Sequence, residues 1–260
     1  MLKIALQDLK LSCFSWRLWT LLGWIDIRQR YARSKLGPFW LTISMGVLVA
    51  TLGIVYGTLF GQKIADYLPT VAIGMVLWAL LSGIINDGCT AYISSAGYIK
   101  QSATPKLLFM LQMGWRNFLI FLHNFVIIGV VVVIFGVHRW LNVLIFFPAL
   151  TLFLINALWM GVLVGIVSAR FRDLPQTIGA LLLVAFYVTP IIFRPGMLAS
   201  HHWIVEYNPL AYMIELVREP LTGIAPDLLV WEVTIAMAVL GWFAALCVTG
   251  RYIRRIPYWV

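Results

Sequence analysis

Six long stretches of the chain contain no Asp, Glu, Lys or Arg. They cover residues 36–62, 67–86, 117–138, 140–169, 174–193 and 233–250. The hydrocarbon core of a bilayer is crossed by about 20 consecutive apolar residues of a helix. A core helix of a soluble protein would be shorter and would carry a polar stripe. The pattern therefore predicts an all-α integral membrane protein with six transmembrane helices and excludes a large soluble helical bundle.

The predicted spans leave a short segment before the first of them and another after the last. The spans are expected at about 38–60, 67–86, 110–136, 141–169, 174–194 and 232–250. Residues 1–35 precede them and residues 251–260 follow them. Two sizeable connections remain, a loop at 87–106 and a segment at 196–231 on the opposite side of the membrane.

The basic residues are divided unevenly between the two sides that these spans define. Of the 19 Lys and Arg residues, 15 lie on the side of the two ends and only 4 lie in the alternate loops. Lys and Arg are retained on the cytoplasmic side of membrane proteins. We therefore expect an inner-membrane protein with both termini in the cytoplasm. The net charge of +9 follows from this asymmetry and does not indicate nucleic-acid binding.

Residues 15–35 combine several tryptophans with a basic end. The basic positions are Arg28, Arg30, Arg33 and Lys35. Ser15 is in a position to begin a helix, which would be too short and too charged to span. Tryptophan at headgroup level and arginine near anionic lipid favour a helix that lies in the membrane interface. The alternative is a simple positive flank of the first span, which Gly37 and Pro38 separate from what precedes it.

The segment at 196–231 contains the pattern of a short amphipathic helix. Asn208 followed by Pro209 is typical of a helix start, and Gly223 is typical of a helix end. Apolar residues recur between them at intervals of three and four, at Leu210, Met213, Ile214, Val217 and Leu221. The opposite face is too polar for a span. We expect short re-entrant or amphipathic helices here, between spans five and six.

Motifs for catalysis or cofactor binding are missing from the sequence. No Gly-x-x-x-x-Gly-Lys-Ser/Thr segment is present, so the chain has no P-loop for ATP. The three cysteines and four histidines show no metal-ligand spacing. We therefore expect neither an enzyme, nor a metal site, nor a bound cofactor. The spans also lack central ionisable groups of the kind that ion-coupled transporters use.

The spans do contain aromatic rings in positions that suggest a path for a substrate. These rings are Trp40, Tyr56, Phe60, Trp78, Phe186, Tyr187 and Phe193. Each of them either faces lipid or the protein core, or lines a channel. Aromatic faces stack on the C–H surfaces of sugars, so a neutral or weakly charged polymer would suit such a lining better than an ion.

Several short segments, taken in order, resemble one family. They are RYARSKLGPFWL at 30–41, FG at 60–61, GYIK at 97–100, RN at 116–117, ARFRDLP at 169–175, TPII at 189–192 and YNPL at 207–210. The sequence resembles ABC-2 type transporter permeases, and more narrowly those that export O-antigen, capsule and related bacterial polysaccharides. The resemblance covers residues 26–223.

This resemblance implies partners and a division of labour. It implies a homodimer with a channel at its axis, two copies of a separate ABC ATPase subunit that binds ATP and Mg, and a lipid-linked polysaccharide as substrate. Contacts with the ATPase would come from the N-terminal helix at about 15–35 and from about 90–101 of the coupling loop at 87–106. The coupling residues in this loop would be Tyr92, Ser95, Gly97, Tyr98, Lys100 and Gln101. Gate or hinge positions would be Gly37, Pro38, Pro190, Pro195, Asn208 and Pro209, with the gate within the segment at 196–231.

The basic end of the N-terminal segment remains open to two interpretations. Arg28, Arg30 and Arg33 would form a substrate entrance that attracts the pyrophosphate of a lipid carrier. Alternatively, these arginines bind only membrane phosphates or the ATPase. Two other functions also remain: an ABC-2 permease for drugs or small lipids, and a membrane-bound acyl- or glycosyltransferase.

Overall fold

The computed structural model describes residues 1–32, 37, 39–135, 142, 144–193 and 203–260. Every regular element in these ranges is a helix, which agrees with the predicted all-α membrane protein. The helices are α1 (Leu2–Phe14), α2 (Trp16–Tyr31), α3 (Phe39–Leu59), α4 (Ile64–Ser94), α5 (Ala96–Gln101), α6 (Leu107–Phe135), α7 (Phe146–Arg170), α8 (Leu174–Val188), α9 (Trp203–Glu206), α10 (Pro209–Leu221), α11 (Leu228–Tyr252) and α12 (Ile256–Trp259).

Five of the described helices, α3, α4, α6, α7 and α11, are long and apolar enough to cross a bilayer. The predicted fifth span corresponds to α8, which has only 15 residues and ends at Val188 rather than near 194. At about 1.5 Å per residue α8 is about 22 Å long, shorter than a hydrocarbon core of about 30 Å. The helix stops because Pro190 disfavours helical geometry at Thr189, whose ψ angle is 139°. The structure thus leaves the count of six spans open.

The second span is longer than the sequence pattern predicts. Its helix, α4, continues past Asn86 to Ser94 and reaches 31 residues. The prediction ended the span before Asp87 because of its charge, but Arg116 of α6 lies 2.9 Å from the Asp87 carboxylate and neutralises it. Only Ser95, α5 and residues 102–106 therefore separate the two long helices, and most of the expected loop at 87–106 is helical.

The N-terminal segment forms two helices, of which only the second was expected. α1 and α2 meet at Ser15, whose hydroxyl donates to the Leu11 carbonyl at 2.9 Å instead of capping α2. α2 packs closely on α6, since a Cβ atom at Gly23 would lie 3.0 Å from Trp115 and 3.1 Å from the Gln112 carbonyl. The helix that was predicted to lie in the membrane interface, α2, is therefore packed against the bundle.

α4 is the central helix of the bundle and packs against α3, α6, α7 and α8. Two thirds of its most apolar window is buried, against 11% for α3. The contact with α7 is very close, because a Cβ atom added to Gly88 would meet the backbone of Gly161 at 2.9 Å. Small residues allow such backbone approach between membrane helices. α3 and α8, by contrast, expose most of their apolar side chains.

Candidate functional site

The start of α6 is capped by a side chain from the N-terminal helix. The backbone N–H groups of Lys106 and Leu107 donate to the two carboxylate oxygens of Asp8 at 3.0 and 2.8 Å. Burial raises the pKa of Asp8, although both hydrogen bonds and the Lys106 charge act in the opposite direction. Helix starts leave backbone N–H groups without partners, which an aspartate satisfies. Asp8 therefore fixes α1 to the bundle.

A polar cluster joins α2, α4 and α6 a short distance further along. The Arg116 guanidinium lies 3.0 Å from Asp26 of α2 and 2.9 Å from Asp87 of α4. Gln112 donates to the same oxygen of Asp26, and Asn117 donates to the same oxygen of Asp87, both at 2.9 Å. One arginine thus holds the interfacial helix and the central helix to α6.

A small cavity of about 140 Å³ lies beside this cluster. Asp26, Gln112 and Arg116 line one side of it, and Ser95 and Tyr98, from the end of α4 and from α5, line the other. The predicted ATPase-coupling segment and the interfacial helix therefore meet at the same polar cluster. The sequence analysis missed this cluster, although Asp26 within a tryptophan-rich helix and Asp87 at the edge of an apolar run were visible signs of it.

The six predicted coupling residues fall into two groups. Gly97, Tyr98, Lys100 and Gln101 are exposed on α5. Tyr92 is fully buried in α4 and Ser95 is 8% exposed, so these two side chains belong to the helix packing. The exposed side chains of α5 are thus available to contact a partner subunit, while Tyr92 and Ser95 are buried in the helix packing behind them.

The three predicted entrance arginines lie at or beyond the end of α2. Arg28 and Arg30 are exposed in its last turn, where positive charge complements the helix dipole. Neither of them forms an ion pair with any described residue. Arg33 lies outside the described residues, as do the predicted hinge positions Pro38 and Pro195. Gly37 has a φ angle of +55°, which glycine adopts without strain.

The predicted channel aromatics are not brought together into one lining. Trp78, which is buried in α4, contacts Phe186 of α8 with ring centroids 5.7 Å apart, and Phe186 contacts Tyr187. Tyr56 and Phe60 form a second pair at the end of α3, with centroids 5.7 Å apart. Rings on the exposed surface of the bundle are Trp40, Phe60 and Tyr187, while Tyr56, Phe186 and Phe193 are half-buried.

The residues after α8 are anchored to the opposite end of the bundle. The predicted hinge residue Pro190 is buried, and its carbonyl accepts a hydrogen bond from Arg218 of α10 at 2.6 Å. Thr189 accepts one from Asn208 at 3.0 Å, and the Tyr67 hydroxyl of α4 donates to the Ile192 carbonyl. The residues that end α8 are therefore linked to the start of α10 through Asn208 and to its last turn through Arg218, a buried arginine that the sequence analysis did not single out.

α10 begins as predicted, because the Asn208 side chain accepts the Leu210 N–H at 2.9 Å and Pro209 is the first helical residue. Its polar face carries Glu215 and Glu219 on either side of Arg218, which lies 3.7 Å from Glu215. Burial, followed by the charge of Glu215, raises the pKa of Glu219 to about 7. One Glu219 carboxyl oxygen has no hydrogen-bond partner among the described residues. This face of α10 is therefore sensitive to protonation.

Comparison with known proteins places the chain in a family. Residues 17–221 match the family model described as ABC-2 type transporter, which is most of the chain. Two similar proteins, both O-antigen export system permease proteins RfbA of Klebsiella pneumoniae, are each 24% identical to it. The aligned parts cover 73% of this chain and 74% of the first relative, and 75% and 76% for the second. Because this match covers most of the chain, the chain belongs to the ABC-2 type transporter family and is a membrane transport protein rather than an enzyme.

Proposed function

We propose that this chain is the channel-forming permease subunit of an ABC transporter that exports a lipid-linked polysaccharide, such as O-antigen, across the bacterial inner membrane. ABC-2 permeases generally work with an ATPase subunit, and the division of labour fits a chain whose 260 residues contain no P-loop of their own. The substrate class rests on the similarity to the two O-antigen export permeases. Two copies of the chain and two copies of the ATPase would form the transporter, with ATP and Mg bound by the ATPase.

The observation that carries the proposal is the junction of α2, α4, α5 and α6 around Arg116. Exposed α5 residues offer a docking surface, and the polar cluster behind them connects that surface to two long helices. A displacement of α5 or of the end of α2 would therefore be transmitted to α4 and α6 through these side-chain contacts rather than through a flexible loop. A permease whose conformational change is driven by a separate ATPase subunit requires such a connection.

The opposite end of the bundle would act as the exit gate. Arg218 and Asn208 couple α10 to the residues that follow α8, so a displacement of α8 would move α10 with it. The exposed apolar faces of α3 and α8 would be covered by the second copy of the chain, with the aromatic rings near the path between them. The polymer would then slide along rings that offer stacking but no tight polar contact.

Deletion of the gene in its source bacterium tests the substrate. We expect surface polysaccharide to disappear and lipid-linked polymer to accumulate inside the cell, with both effects reversed by the wild-type gene. If surface polysaccharide stays unchanged while sensitivity to a drug or the distribution of a small lipid changes, the rival permease function is correct. If polymer synthesis itself stops, the transferase alternative is favoured.

A pair of charge variants tests the coupling surface. Lys100→Glu with Gln101→Glu places two negative charges on exposed α5 and should abolish export and co-purification of the ATPase while the permease remains in the membrane. The matched control is Lys63→Glu with Gln62→Glu, which makes the same change between α3 and α4. Normal export by the α5 variant, or equal loss in the control, would argue against docking at α5.

A further inference from the structure

A cavity of about 340 Å³ lies at the end of the bundle where α7 and α11 finish, beneath the short helix α12. Ile166, Val167 and Val248 form an apolar floor, and Arg170 and Arg255 lie at its edge. Aromatic side chains complete the lining, namely Phe171, Tyr252 and Trp259. Small-molecule sites usually have volumes of about 300–1,000 Å³, so this cavity is large enough for a ligand group. None of these residues belongs to the coupling surface or to the gate.

The two arginines of this cavity have no anionic partner in the part of the chain that the structure describes. Neither Arg170 nor Arg255 forms an ion pair with a described residue, in contrast to Arg116 and Arg218. Both guanidinium groups lie over aromatic rings instead. Arg170 is 5.5 Å from the ring centroids of Phe171 and Trp259, and Arg255 is 5.9 Å from that of Tyr252. A guanidinium stacked on a ring is held in place while its N–H edge stays available for a planar, two-point contact with a phosphate.

The side of the cavity formed by α12 is well ordered by its own contacts. The Arg172 guanidinium donates to the Trp259 carbonyl at 2.9 Å, and the rings of Tyr252 and Trp259 pack with centroids 5.5 Å apart. Ile256, at the start of α12, is fully buried. The cavity is therefore formed in advance of any ligand.

We infer that this cavity binds the phosphate group of an anionic phospholipid, with Arg170 and Arg255 contacting the phosphate and the apolar floor contacting the first part of an acyl chain. Val167 in the last turn of α7 and Phe171, which follows this helix, are both exposed, so the floor opens towards the hydrocarbon of the bilayer. A free phosphate would satisfy the arginines but would leave this floor empty. A zwitterionic lipid would offer the same chain but would bring its own positive charge to the arginines.

The site goes beyond the proposed export function, because it concerns lipid of the surrounding bilayer and not the transported polymer. Basic pockets between membrane helices are established sites for anionic headgroups. α12 also packs against α5, so a lipid that stabilises α12 stabilises a neighbour of the coupling surface. The topology predicted from the charges makes this the cytoplasmic leaflet.

Native mass spectrometry of the purified full-length chain in neutral detergent tests this inference. The probes are phosphatidylglycerol, phosphatidylcholine and inorganic phosphate, added separately at the same concentrations. We expect phosphatidylglycerol to bind at least tenfold more tightly than phosphatidylcholine. Arg170→Gln with Arg255→Gln should weaken phosphatidylglycerol binding by roughly 25-fold, since each basic residue near an anionic lipid contributes about fivefold.

The matched control is Arg17→Gln with Arg254→Gln, which removes the same charge from exposed positions outside the cavity lining. It should change phosphatidylglycerol binding less than threefold. If the Gln pair at 170 and 255 does not fold, Arg170→Lys with Arg255→Lys takes its place. Lysine keeps the positive charge but lacks the forked geometry of the guanidinium, so phosphatidylglycerol binding should still weaken severalfold. Three results would each overturn the inference. The first is an equal loss of phosphatidylglycerol binding in both Gln pairs, and the second is unchanged binding in the cavity variants. The third is displacement of the lipid by an equal concentration of inorganic phosphate.

Discussion

Asp87 and Arg116 face each other at 2.9 Å across the contact between α4 and α6. A carboxylate packed between two helices without a partner would be unfavourable. With the arginine beside it, Asp87 is accommodated where α4 packs on α6, and α4 continues for two further turns and reaches α5. The ion pair therefore holds the last part of the central helix against α6.

Replacement of Arg116 by Met should destabilise the protein by about 2 kcal/mol. This is less than the roughly 3–5 kcal/mol expected when a fully buried pair is broken, because 28% and 26% of the Asp26 and Asp87 side chains are exposed. Thermal unfolding in detergent measures the change. Arg251→Met, at an exposed site, serves as the control and should change the midpoint little.

A double-mutant cycle separates the ion pair from the general effect of losing an arginine. If Arg116→Met and Asp87→Asn each destabilise the protein but their combination destabilises it little more, the two side chains act on one another. Strict additivity of the two changes would show that the contact at 2.9 Å contributes nothing to stability.

Asp8→Ala should lower the free energy of unfolding by about 1 kcal/mol, which is typical of the loss of an N-terminal helix cap. Asp8→Asn should have a smaller effect, because its amide oxygen still accepts one of the two N–H groups. Gln7→Ala, the exposed neighbour on α1, is the control. If proteolysis then releases α1 more easily from the Asp8 variants than from the control, the cap is what attaches this helix to α6.

The packing of α10 should depend on pH through Glu219. Its pKa in the folded protein is about 7, raised from 4.5, so folding favours the protonated carboxyl. That stabilisation is complete below pH 4.5 and is lost as the pH rises through about 7. We expect the melting temperature to fall between pH 5.5 and 8.5 in the wild type and to change less in Glu219→Gln.

Glu215 contributes to the same dependence in the same direction, since burial also raises its pKa. Glu206→Gln, an exposed change on α9, should retain the wild-type pH profile. If the melting temperature of the Glu219→Gln variant depends on pH in the same way as that of the wild type, the carboxyl of Glu219 is ionised throughout this range.

Reporter fusions should settle the number of crossings. With six spans, green fluorescent protein fused after residue 102 or after residue 260 should fluoresce in the cytoplasm, and alkaline phosphatase fused after residue 223 should be active outside. If the phosphatase fused after residue 223 is inactive and green fluorescent protein fluoresces there instead, α8 does not cross.

The sequence pattern predicts those helices whose ends coincide with a change of polarity. The predicted start of α10 at Asn208 and Pro209 is confirmed, because the helix cap and the spacing of the apolar residues both depend only on residues close in sequence. α4 was predicted too short because the partner of Asp87 is 29 residues away in sequence. α8 was predicted too long because apolar residues continue after Pro190, although the helix does not.

The candidate site was harder to predict than the fold. Exposed residues on α5 follow from a recognisable segment, whereas the Asp26–Arg116–Asp87 cluster depends on which faces of three helices meet. Tyr92 was expected at the coupling surface because it lies in the segment that the family resemblance assigns to the ATPase contact, but α4 buries it completely. Residues that act through a partner distant in sequence cannot be assigned a role before the fold is known.

The short length of α8 has a consequence for the membrane itself. A helix of about 22 Å is about 8 Å shorter than a typical hydrocarbon core, and the apolar residues that follow it are not helical. Lipids respond to such hydrophobic mismatch by thinning locally. If two copies of α8 meet at the dimer axis, the bilayer is thinnest beside the export path, and the polymer crosses a shorter apolar distance there than elsewhere in the membrane.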